Sequence, residues 1–287
     1  MRKGPAAAAG AAAVLFALIT LLKVQSPRVD VALDAARDTT GVRATVREFW
    51  EIYREATGHR IAGRFGDARD AYRRALELNP RHEDALYYLG NMQLELGHYA
   101  EAQAAWARQV QVNPRSSRAH SRLGDLYACM DPGAPRDLAK AEAEFRRALE
   151  LNREETGPLL RLGEIALMRG RLTDAVSPLD AVIGSHSRSV DAHFLKGYVA
   201  WKRAQPERAA VLFRTAVALA RPAQSVQHRP GEGDTKRGLA PAVAPTSRCR
   251  VFSAEIDRLS SVDSASLSTE MNEMYQGLDG RLARLAP

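Results

Sequence analysis

The 287-residue sequence is poor in the residues on which metal centres and β-sheets depend. It has two cysteines, no CxxC or HExxH motif and no pair of histidines at metal-ligand spacing, which argues against a zinc site. Aromatic residues make up only 6%, whereas alanine is frequent, and this composition favours closely packed helices over sheets. We therefore expect an all-α protein that holds no cofactor.

Blocks of five or six basic residues are also missing, although the net charge is +7. A nucleic-acid surface normally gathers Lys and Arg with aromatic residues between them, whereas here Arg alternates with Glu and Asp. The sequence contains no nucleophile elbow, Walker A or zinc-deaminase pattern, and its histidines are scattered. It thus predicts neither a nucleic-acid-binding protein nor an enzyme.

The first 24 residues have the pattern of an export or membrane signal. Arg2 and Lys3 precede an uncharged run from Gly4 to Leu22 whose second half is strongly apolar. This pattern predicts a signal anchor or a cleaved signal peptide, and Pro27, just after the candidate cleavage site, favours the uncleaved anchor. The remaining chain would lie outside the cytoplasm, on the periplasmic or cell-surface side, and would be secreted if the signal is cleaved.

A phrase of three residues returns along the chain at a spacing close to 34. In the same frame, a small residue is followed in the next predicted helix by a large apolar one. A small residue lets two helices approach closely and the large one fills the space beside it, so the pattern predicts stacked helix pairs. The phrases are Leu78-Asn79-Pro80, Val112-Asn113-Pro114 and Leu151-Asn152-Arg153; the small residues are Ala56, Gly90, Gly124, Gly163 and Gly197; the large ones are Tyr72, Trp106, Phe145, Leu179 and Phe213.

Glycines mark the predicted turn inside each pair. Gly63, Gly97 and Gly170 fall where a first helix should end in a left-handed residue, and residues 130–135 lengthen that turn in the third unit. Together these positions resemble the tetratricopeptide-repeat (TPR) family from about Phe49 to Arg221. The resemblance implies a right-handed superhelical solenoid of about five helix pairs, to which the sequence adds a C-terminal helix.

Composition and periodicity divide the chain into five segments. In the last of them, apolar residues recur at three- and four-residue steps between Leu267 and Leu285. This spacing predicts an amphipathic helix that covers the end of the repeat stack, with self-association through it as the alternative. The segments are the signal at 1–24, a stalk at 25–41, the TPR array at 42–221, a Pro/Gly-rich linker at 222–249 and the C-terminal helical segment at 250–287.

The two cysteines, Cys129 and Cys249, are far apart in the sequence. Export would permit a disulfide between them, but connectivity does not follow from sequence. We interpret them as two separate thiols, with the disulfide as the alternative.

The resemblance also implies a binding groove. In the TPR family the first helices of successive units line a concave groove that receives extended peptides or helices of partner proteins. Arg118 and Arg122 are four residues apart on one helical face, so both could reach one carboxylate of an acidic or C-terminal peptide. Tyr53 and Thr57 stand where carboxylate-clamping members have Lys and Asn, so a complete clamp is not expected. Carried over by position, the groove residues are Tyr87, Asn91, Arg118, Arg122, Asp125, Arg161 and Tyr198.

The sequence therefore predicts a membrane-tethered scaffold or adaptor that binds a peptide or helix of a partner protein. One alternative is an assembly or maturation factor for an extracytoplasmic complex, similar to the membrane-anchored TPR proteins of cytochrome c biogenesis. A second alternative is a non-catalytic subunit of an enzyme complex. All three bind proteins, and the sequence alone does not separate them.

Overall fold

The structure, a computed structural model, describes residues 27–221 and 248–285. Within these two ranges the regular structure is helical and contains no strand, which confirms the predicted all-α fold. A single 3-10 turn, Leu259–Ser261, follows α11. The helices are α1 (Pro27–Ile61), α2 (Phe65–Leu78), α3 (Glu83–Glu95), α4 (Tyr99–Val112), α5 (Ser117–Ala128), α6 (Leu138–Leu151), α7 (Thr156–Met168), α8 (Leu172–Ser185), α9 (Val190–Lys202), α10 (Pro206–Ala220), α11 (Ser253–Arg258) and α12 (Leu267–Leu285).

Helices α1 to α10 pair in chain order into five units, as the 34-residue period predicts. We number the units one to five, so that α1, α3, α5, α7 and α9 are the first helices. Helix α1 runs unbroken from residue 27, and the predicted boundary between stalk and array at 41 falls inside it. The predicted signal lies outside the described residues, and none of the helices described here combines the length and the hydropathy that a membrane span requires.

The recurring small residue permits close packing inside each unit. A Cβ atom placed on Gly90 would lie 2.3 Å from Nε1 of Trp106, a distance that real side chains do not adopt. Trp106 is fully buried, and its indole N–H donates to the main-chain oxygen of Tyr87 at 3.3 Å. The small and the large residue of unit two therefore form one contact, as the sequence pattern predicts.

The recurring asparagine forms a turn at the end of a unit. The side-chain oxygens of Asn79, Asn113 and Asn152 each accept a hydrogen bond from the main-chain N–H two residues later, at 3.4, 3.0 and 3.2 Å. An Asx turn of this kind ends one unit and directs the chain into the next first helix. The predicted left-handed residues are also confirmed: φ is +72° at Gly63, +78° at Gly97 and +69° at Gly170.

Residues 248–285, here named the C-terminal segment, pack against the first helices of units four and five and against the second helix of unit five. Helix α11 contacts α9, and α12 contacts α7 and α10. This confirms the predicted amphipathic helix and shows that its apolar face is used within the chain; self-association through α12 stays a prediction. The buried residues of α12 are Met271, Met274, Tyr275, Leu278 and Leu282.

Tyr275 holds α12 against α9. Its hydroxyl donates to the main-chain oxygen of Phe194 at 3.1 Å, and a Cβ atom on Gly197 would lie only 2.2 Å from that hydroxyl. The small residue of unit five therefore admits a side chain from the C-terminal segment. Around this contact, the indole N–H of Trp201 donates to Oδ1 of Asn272 at 3.0 Å.

A disulfide joins Cys129, directly after α5, to Cys249 at the start of the C-terminal segment. The expectation of two separate thiols is therefore wrong. The reason is that the C-terminal segment folds back across 120 residues of sequence, and no local pattern records this return. In the chain-entropy account, closing a loop of this length stabilises the fold by roughly 5 kcal/mol.

Candidate functional site

A cleft of about 510 Å³ opens on the face formed by the first helices, between α3, α5 and the start of α7. Five of the seven predicted groove residues line it. Arg118, Arg122 and Asp125 share one face of α5 because they are three and four residues apart, and Tyr87 and Arg161 approach from the neighbouring first helices. The other lining residues are Ser121, Phe145, Glu154, Glu155, Thr156, Gly157 and Pro158.

Tyr87 organises the two arginines of α5. The guanidinium carbon of Arg118 lies 4.7 Å from the centre of the Tyr87 ring, which is cation–π geometry. Arg122 donates from both Nε and Nη2 to the Tyr87 hydroxyl, each at 3.2 Å. Burial disfavours the charge of Arg122, but Tyr87 and Asp125 outweigh it, so the pKa of the guanidinium is raised.

Each arginine of the cleft is already paired with a carboxylate. Arg118 donates to Asp84, and Arg122 donates to Asp125 at 3.2 Å. Oδ1 of Asp125 also lies 3.1 Å from Nε of Arg161, so this second ion pair connects α5 with α7. The guanidiniums that the sequence assigns to a ligand carboxylate therefore have their charge balanced within the protein.

Arg161 has a second and more buried partner. Its Nη1 lies 2.7 Å from Oε2 of Glu164, whose side chain is only 3% exposed. Glu164, and after it Asp125, raises the pKa of the Arg161 guanidinium, against the effect of burial. Burial is the largest influence on the Glu164 carboxyl and raises its pKa, whereas Arg161 lowers it. Arg161 is therefore a permanent cation that favours the ionised form of a buried acid, and it lines the cleft at the same time.

Sequence reasoning missed the acidic side of the cleft. Glu155 accepts hydrogen bonds from the hydroxyls of Ser117, at 2.6 Å, and Ser121, at 3.3 Å. Glu154 lies beside it and is exposed. A periodic signal for such pairs exists, because Asp84 precedes its partner Arg118 by 34 residues, one repeat length. Residues at the same register position of adjacent units lie side by side.

The two remaining predicted residues lie outside the cleft. Asn91, on α3, does not line it, and its side-chain oxygen is buried without a hydrogen-bond partner among the described residues. Tyr198 is 2% exposed and donates to Asp279 of the C-terminal segment at 2.7 Å. Burial, and after it Asp279, raises the pKa of Tyr198. Tyr198 therefore contacts the chain's own C-terminal segment instead of facing an open groove.

Two stretches of the chain, residues 59–126 and 134–185, match family models described as tetratricopeptide repeat. Similar solved structures include MamA, at 20% identity and a TM-score of 0.52, covering 61% of this chain and 91% of that one. PilW, described as a widely conserved type IV pilus biogenesis factor, has 16% identity and a TM-score of 0.54, covering 61% and 79%. No curated protein matches the sequence. At these identities the likenesses define the fold alone: the chain contains tetratricopeptide repeats and forms a TPR solenoid. The face of first helices is the side that the family resemblance assigns to the concave groove.

We predict that loss of Arg161 destabilises the fold more than loss of the more exposed Arg118. Arg161→Ala leaves the carboxylate of Glu164 buried without its cation and should lower the free energy of unfolding by roughly 3–5 kcal/mol. Arg118→Ala breaks a pair that is about half exposed and should cost less than about 1 kcal/mol. Urea denaturation measures both.

The double variant Arg161→Ala/Glu164→Leu is the control, because it removes both charges and should recover most of the loss. Equal stability of Arg161→Ala and the wild type would show that this buried ion pair contributes nothing.

Proposed function

We propose that the protein is a binding scaffold whose cleft on the concave face receives a segment of a partner protein. One observation carries the proposal: residues that the family's register assigns to ligand contact converge on a single open cleft. The side chains of Arg122 and Arg161 remain 34% and 22% exposed there, so a ligand can reach them.

The C-terminal segment supports the same use of the concave face. It shows that the first helices of units four and five can bury a helix that arrives from elsewhere in the sequence. In the described part of the chain this segment ends the open groove beside α7, so a partner is confined to the cleft and to the concave face of the earlier units.

We further propose a non-catalytic role for the cleft. Among the described residues that line it there is no histidine, cysteine or lysine, so it offers no neutral general base next to a nucleophile. Its Ser121 donates to Glu155, and its Asp125 pairs with Arg122 and Arg161, so these two carboxylates are engaged within the protein.

Location outside the cytoplasm, with a membrane tether at the N-terminus, belongs to the same proposal. The basic start and apolar run of residues 1–24 supply the sequence argument. The Cys129–Cys249 disulfide adds an independent argument, since such bonds persist in oxidising compartments and are rare in the cytosol. The alternatives of an assembly factor and of an enzyme subunit stay predictions.

A steric block tests the cleft without changing its charge. Gly157 lines the cleft, and a Cβ atom added there meets nothing within 4 Å, so Gly157→Trp should fold normally and fill the opening. We expect a photo-crosslinking amino acid in place of Ser121 to capture a discrete partner in cells, and Gly157→Trp to reduce the adduct at least tenfold.

Gly184→Trp is the matched control. It places the same side chain on α8, a second helix, where a Cβ atom also meets nothing within 4 Å. An adduct that survives Gly157→Trp as well as it survives Gly184→Trp would contradict partner binding in the cleft.

The location is tested by a reporter enzyme that is active only outside the cytoplasm. Fused after Pro287, it should be active, and deletion of residues 2–24 should abolish its activity because the export signal is lost. Activity of a cytoplasm-only reporter at the same position in the full-length chain would refute the proposed location.

A further inference from the structure

We propose that the cleft selects a basic segment of its partner, with Lys or Arg side chains directed at its acidic wall. This inference rests on the proposed function and specifies the chemistry of the ligand. It departs from the acidic or C-terminal peptide that the arginines suggest when they are considered without their partners.

The first argument is the charge balance of the cleft. Arg118, Arg122 and Arg161 pair with Asp84, Asp125 and Glu164, so the charge of each arginine is already compensated, and Glu154 and Glu155 of the lining are left with no cationic partner in the described part of the chain. Three cations are thus outnumbered by five potential anions. The five acidic residues are Asp84, Asp125, Glu154, Glu155 and Glu164.

The second argument concerns which charged side chains of the cleft lack a partner. A ligand carboxylate would approach arginines whose charge Asp84 and Asp125 already compensate, so it would place a further negative charge beside them. Glu154, in contrast, is exposed, and its carboxylate has no partner in the described part of the chain. A cation can therefore bind at the acidic wall without breaking an existing contact.

The third argument is the C-terminal segment, whose first residues already bring basic side chains to acids of the array. Its Arg248-Cys249-Arg250 stretch places two arginines against the array: Nη1 of Arg248 lies 3.8 Å from Asp131, and Nη2 of Arg250 lies 3.5 Å from Asp191. The array therefore already accepts basic side chains on acids of units three and five. The open cleft, with Glu154 and Glu155 at the start of α7, lies between these two positions along the stack.

The test uses three labelled decapeptides on an Ala/Gly background that carry three arginines, three citrullines or three glutamates. Citrulline keeps the shape of arginine without its charge. Fluorescence anisotropy with the oxidised full-length chain should show binding of the arginine peptide alone, weakening as salt rises from 0.05 to 0.5 M on the order of the screening expected for exposed charges. The net charge of the chain is +7, so nonspecific attraction would favour the glutamate peptide instead.

Variants locate the interaction. Glu154→Gln removes one exposed charge and should weaken the arginine peptide about two- to fivefold, and Glu154→Lys should weaken it further. Glu207→Gln makes the same change in the first turn of α10, outside the cleft, and should leave the affinity unchanged. Because Glu154 is exposed, none of these variants should alter the helical content, which circular dichroism checks.

Tighter binding of the glutamate peptide, or equal effects of Glu154→Gln and Glu207→Gln, would overturn the inference. Those results would leave the proposed function standing, because the steric block at Gly157 tests occupancy of the cleft whatever the charge of its ligand. If Gly157→Trp leaves capture of the partner as strong as Gly184→Trp does, the proposed function itself is contradicted.

Discussion

The contact of Tyr275 with the main chain of α9 is the constraint on which the rest of the concave face depends. Tyr275 fits against Gly197 only because that residue has no side chain, and its hydroxyl donates a hydrogen bond to the main-chain oxygen of Phe194. In unit two the corresponding glycine admits Trp106 of its own unit. The recurring small residue thus has two roles. Inside the array it lets the two helices of a unit pack closely, and at the end of the array it lets the C-terminal segment pack against α9.

The position of the C-terminal segment determines which part of the groove is open. With α12 in place, Tyr198 is buried and pairs with Asp279, which Lys202 also contacts at 2.8 Å. The Cys129–Cys249 bond fixes the other end of the C-terminal segment to unit three. Between these two attachments the C-terminal segment packs on the array, and it leaves the cleft around Tyr87 and Arg122 uncovered. Packing, a disulfide and ion pairs therefore act together to hold the C-terminal segment in place.

The array could be predicted from the sequence because its information is local and periodic. The spacing of small and large residues gave the helix pairs, and Asn79 and its equivalents marked the turns between units. The family's groove positions, carried over by register, identified five residues that line one cleft, since a solenoid places the same position of each unit on the same face. The C-terminal helix followed from its apolar spacing, but its contacts did not, because they join residues about 80 positions apart, as between Tyr275 and Phe194, and no repeat period connects such residues.

The account is tested most directly by amide hydrogen exchange of the oxidised full-length chain. It predicts that residues 267–285 are protected to nearly the same degree as α9, and that Tyr275→Ala accelerates exchange in both while α2 to α4 stay unchanged. Residues 267–285 that exchange in the wild type as fast as an unstructured peptide would contradict the occupied concave face, and with it the position of the open cleft.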